Sequence, residues 1–102
     1  MKKRMFRWWS YARAMVRSYP QLCSKPPKNP DDIKDREAVA QAIELTRQSK
    51  NGEAHLELIK TVYWGRKQCT VKDAAVRLYI SSATAKRWHG EFIKLVGKCR
   101  GL

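Results

Sequence analysis

Apolar residues recur three and four positions apart along most of this chain, and each such run predicts a helix. The first run places Met5, Trp8, Trp9, Ala12, Met15, Val16 and Tyr19 on one face, with Lys3, Arg7, Ser10, Ala14 and Arg17 opposite. It predicts an amphipathic helix over 3–19, stopped at Pro20 because proline lacks the N–H that a helix interior needs. All four prolines, Pro20, Pro26, Pro27 and Pro30, lie between 20 and 30, so 20–29 reads as a semi-rigid linker. Asn29-Pro30-Asp31-Asp32 then combines a cap, a first-turn proline and acids that complement the helix dipole. The helix it starts runs to about Ser49 through Ile33, Val39, Ala40 and Ile43, and Asn51-Gly52 breaks it. A third helix covers Glu53 to Trp64, with Leu56, Ile59 and Tyr63 as its main stripe and Leu58 and Val62 beside it. Gly65 reads as a left-handed stop, and Arg66, Lys67 and Gln68 as a basic loop. Strand signals are nearly absent, so the expected fold is all-α, a small helical domain over 30–102 preceded by the helix and linker.

The most informative stretch is TVKDAAVRLYISSATAKRWHGEFIKLV, residues 70–96. Thr70 caps a helix that carries Asp73 three residues on, and Val71, Ala74, Ala75 and Leu78 form its buried side. Ser81 caps a second helix that runs to about Val96, with Ala85, Trp88, Phe92 and Leu95 inward and Ile93 outward. A small residue at the crossing, an apolar turn residue at Ile80, a cap and an inward alanine follow at the spacing of a helix-turn-helix. Tyr79 stands where that motif usually has glycine, a position that often needs positive φ.

Charge changes the picture from a generic helical domain to a binding module. Lys and Arg total 22 against 9 acids, for a net charge of +13 and a pI near 10.1. The excess sits at the two ends: 1–28 has eight basic and no acidic residues, 29–57 four and seven, 58–102 ten and two. Such a balance points to a polyanionic partner. Cys23, Cys69 and Cys99 form no C-x-x-C pair, which disfavours a disulfide framework or zinc ribbon and suits a reducing compartment. Cys69, His55 and His89 are too scattered for a metal site, and no membrane span is expected. Arginines interrupt the N-terminal stretch too often for a secretory signal, and Cys99-Arg100-Gly101-Leu102 matches a prenylation box only formally. With no Gly-rich phosphate loop, no recognisable carboxylate pair and no partnered histidine, neither an enzyme nor a cofactor is expected.

The order Thr70-x-x-Asp73-Ala74-Ala75-x-x-Leu78-x-Ile80-Ser81 resembles region 4 of sigma factors. Most of the chain resembles small phage transcriptional regulators of the ArpU/RinA type. Trp8-Trp9-x-Tyr11-Ala12-x-Ala14-Met15, Val62-Tyr63-Trp64 and Arg87-Trp88-His89-Gly90-Glu91-Phe92 carry the likeness. It implies a phage or prophage setting, control of late-gene transcription and residence at the nucleoid in a bacterial cytoplasm. About 70 residues after the linker are too few for a promoter-melting domain as well, so such a regulator would act with a host RNA polymerase.

The helix wheel nominates the DNA-contacting residues. Ser82, Ala83, Lys86, Arg87 and Gly90 face base edges of double-stranded DNA, and Lys67, Thr70, Lys72, Arg77 and Lys94 suit phosphates. Gly90 and Gly97 share the exposed face, and His89 flanks the buried stripe as a structural residue. Two other readings stay open: a small-terminase-like packaging adaptor, with 3–19 as its assembly helix, and a polymerase-binding antiterminator. The chain could also pair as a homodimer.

Overall fold

A computed structural model describes residues 8–26, 28–65 and 67–102. It is all-helical among those residues: α1 Trp9–Ser24, α2 Pro30–Gln48, α3 Gly52–Ile59, a π-helical turn Lys60–Trp64, α4 Val71–Arg77 and α5 Ser82–Arg100. Met5 of the first stripe, and Lys3 and Arg7 of the face opposite, lie outside the described residues.

One core gathers every helix. Ala12, Met15 and Val16 of α1 meet Ala38, Val39 and Ala42 of α2 and Leu56, Leu58 and Ile59 of α3. Val62 and Tyr63 of the π turn, Ala74 and Ala75 of α4, and Ala85, Phe92, Ile93 and Val96 of α5 complete it. The α2–α5 interface is the most extensive, and α1 packs on α2, on α5 and on the π turn. The first helix therefore spends its apolar face on its own domain. Ile33 and Ala40, expected on the α2 stripe, are exposed instead.

Pro20 does not stop α1, which continues to Ser24 and shortens the linker. A proline inside a helix leaves the carbonyl four residues earlier, here that of Val16, without its N–H partner. The Trp64 indole N–H donates to the Val16 carbonyl at 2.7 Å and fills the gap. A tertiary contact thus removes the main polar cost of the proline.

The helix starts follow the sequence closely. Asn29 accepts from the Asp32 amide at 2.9 Å, Thr70 from that of Asp73 at 3.1 Å, and Ser81 from that of Thr84 at 3.1 Å. At the α2–α3 corner, Asn51 takes the left-handed conformation at φ 61°. Gly52 allows a backbone approach in which any Cβ would overlap the Thr46 carbonyl oxygen. Gly65 is extended at φ −75° and ψ 171°, so the third helical stretch has no left-handed stop. The chain instead folds back, and the Cys69 amide donates to the Val62 carbonyl at 3.4 Å.

Residues 78–81 join α4 to α5 through a turn built like a glycine helix end. The Ile80 amide donates to the Ala75 carbonyl at 3.0 Å and the Tyr79 amide to that of Val76 at 3.3 Å. The same pair of bonds closes α5, where the central residue is Gly101 at φ 90°. At the α4 end it is Tyr79, at φ 60° and 95% exposed. A tyrosine there carries the left-handed cost without burial to offset it. Tyr79→Gly should therefore raise stability by about 1 kcal/mol, read as a higher urea midpoint with unchanged slope.

Candidate nucleic-acid interface

The caps on Thr70 and Ser81 fix where α4 and α5 begin, and so which side chains face solvent. Ser82, Ala83, Lys86, Arg87 and Lys94 are all exposed on α5, and Lys67, Thr70, Lys72 and Arg77 are exposed on or before α4. The Ser81 hydroxyl also donates to Thr84 Oγ1 at 2.9 Å, so the first turn of α5 is held from two sides. Lys86 and Arg87 lie one turn further on, free of ion pairs among the described residues.

Gly90 does not share that face. It is half-buried, and a Cβ there would meet the Trp9 ring at 3.9 Å. Gly97 is buried, and a Cβ on it would overlap the ring of Trp8. Gly97 is therefore required for the close approach of Trp8, whereas a side chain at Gly90 would make only an ordinary contact with Trp9. Ile93, expected outward, is fully buried between the two glycines along the helix. Trp88, expected to close the core, is only half-buried and stacks on His55 with ring centroids 4.2 Å apart. Burial holds the His55 pKa below its ordinary value; the nearby Glu91 carboxylate opposes this and the Arg87 guanidinium adds to it.

His89 is the polar group of the α5 interior. Its Nε2 lies 2.6 Å from the Tyr63 hydroxyl, and Arg13 Nε donates to that hydroxyl at 3.0 Å. Arginine can only donate, so the hydroxyl accepts from it and keeps its own proton and a second lone pair for the imidazole. Burial, helped by the Arg13 charge, lowers the His89 pKa to about 4, which keeps the ring neutral and able to accept. The chain Arg13–Tyr63–His89 ties α1, the π turn and α5 together. It is a structural network, as expected of His89.

Part of the C-terminal positive charge is used internally. Arg100 Nε donates to Asp35 Oδ1 at 2.7 Å, and its guanidinium lies 3.3 Å from Asp31. Tyr11 donates to the same Asp35 oxygen at 2.8 Å. The end of α5 is thereby tied to the acidic start of α2, while the cations at the start of α5 and along α4 stay in solvent.

The structure also gathers residues that periodicity did not connect. Lys67 and Arg77 border an open cleft of about 510 Å³ together with Lys60, Trp64, Gly65 and Glu57. Trp64 was read as the end of the third helix and Lys60 was not singled out, because nothing in the spacing announces a π turn. No three His, Cys, Asp or Glu side chains cluster as a metal site among the described residues, and no helix there is long and apolar enough to cross a membrane. Comparison with protein-family models, curated proteins and solved structures finds no match.

Proposed function

We propose that this chain is a sequence-specific double-stranded DNA-binding transcriptional regulator of phage or prophage late genes, acting with a host RNA polymerase. In this reading α4 and α5 form a helix-turn-helix, and α5 enters the major groove by its N-terminal half. The observation that carries it is the turn at 78–81. It ends α4 with two reversed hydrogen bonds, caps α5 at once with Ser81, and leaves Ser82, Ala83, Lys86 and Arg87 in solvent beyond the cap. Arg87 or Lys86 would pair with guanine and Ala83 with a thymine methyl, while Lys67, Thr70, Lys72, Arg77 and Lys94 would hold phosphates. The net charge of +13 supplies the long-range attraction. The likeness to ArpU/RinA-type regulators supports the phage setting and the late-gene role.

The packaging-adaptor alternative needs an assembly helix. Ala12, Met15 and Val16 of α1 are buried in the domain's own core, which weighs against that use.

The test is to select the preferred duplex from a random library and measure Arg87→Ala on it. The variant should lose about 1–3 kcal/mol of affinity at that site and tolerate more bases at one position. An equal loss on random duplex would reduce Arg87 to a phosphate contact.

A further inference from the structure

The cleft beside α4 has the makings of a second binding site. Its aromatic wall is rigid: the Trp64 indole is fixed by the Val16 carbonyl at 2.7 Å, and its ring lies 5.7 Å from that of Tyr19. The π turn puts Lys60 and Trp64 on the same cleft. The returning strand of chain places Lys67 at its edge, because the Cys69 amide and thiol donate to the Val62 and Thr61 carbonyls. Arg77 closes the side formed by α4. Lys60, Lys67 and Arg77 form no ion pair among the described residues, although Glu57 lines the same cleft.

Three unpaired cations around one immobile aromatic ring match the two halves of a nucleotide. The cations suit its phosphate, and the ring suits its base, whatever the base is. The volume of about 510 Å³ is of the size that holds a small ligand, and its open form also admits a chain passing through. We propose that this cleft binds a nucleoside phosphate unit, either within a single strand or as a free nucleotide. Lys67 and Arg77 are shared with the phosphate contacts proposed for the duplex, so what sets this site apart is Lys60 and Trp64, which have no part in duplex reading.

The experiment uses the full chain and a fluorescein-labelled oligothymidylate of about ten nucleotides, a length typical of one single-strand site. Anisotropy should report binding at low salt. Lys60→Glu should weaken it about tenfold, whereas Lys34→Glu, the same charge change at an exposed position on α2, should weaken it less than about threefold. Both side chains are exposed, and thermal melts check that both variants fold. Competition by thymidine monophosphate, lost in Lys60→Glu, would assign the site to free nucleotides; oligomer binding without such competition would assign it to a strand. Equal losses from the two variants, or no binding of either probe, would overturn the proposal. Neither result would touch the Arg87→Ala test, which reads α5 alone.

Discussion

Ile93→Ala is expected to destabilise the protein by about 2–5 kcal/mol, enough to unfold much of a domain this small. Ile93 is fully buried, and its neighbours along the helix, His89, Phe92, Val96 and Gly97, are buried as well. Truncation would remove methylene groups from a fully buried position in the shared core and leave a cavity there. Trp88→Ala provides the comparison. The indole is larger but half-buried, with one ring face on His55, so its loss should cost less than that of Ile93. Urea unfolding of both variants measures the order. A larger loss at Trp88 would mean that α5 is rotated from the orientation described above.

Acid should weaken the fold through His89. In the unfolded chain this histidine takes up a proton near its ordinary value of 6.5, but in the folded protein it does so only at about pH 4. Between those values the unfolded state binds the extra proton, so stability is complete above about pH 6.5 and falls as the pH drops to about 4. The whole window is worth about 3 kcal/mol. Protonation also places a positive charge on a buried ring that already feels the Arg13 guanidinium. Unfolding free energies at pH 7 and pH 5 should differ clearly in the wild type. His89→Gln, which cannot titrate, should flatten that difference even if it lowers stability at both values. An unchanged pH slope in the variant would exclude His89 as its source.

The parts of this fold that were legible in the sequence are those decided locally. Asn29, Thr70 and Ser81 cap the helices they were expected to cap, because a short polar side chain beside a helix start has few other uses. Tyr79 occupies the left-handed position that its place in the turn required. Readings that depend on the number of neighbours around a helix fared differently. A single stripe through Ala85, Trp88, Phe92 and Leu95 assumes that α5 buries one face. In fact α1 covers a second, and His89, Ile93, Val96 and Gly97 form a stripe at equally good helical spacing. That second stripe, with Gly90 and Gly97 one heptad apart, was the available sign. The stop at Pro20 failed for a similar reason, since its remedy comes from Trp64. Lys86, Arg87, Lys72 and Lys94 were readable as exposed positions, because charged side chains on the polar face of a helix stay in solvent. The place of Lys60 in the cleft was not readable, because its neighbours there depend on a local change in helix pitch.

The repair of Pro20 by Trp64 also bears on the order in which the chain acquires its shape. A sixteen-residue helix is marginal in water even without a proline, and α1 has an open carbonyl near its middle until a donor 48 residues further on reaches it. Without Trp64 in place, water must satisfy the Val16 carbonyl. The hydrogen bonding of α1 around Pro20 is thus completed by the π turn that docks against it. The proline-containing helix is thereby coupled to a residue 48 positions away, across the whole of α2 and α3.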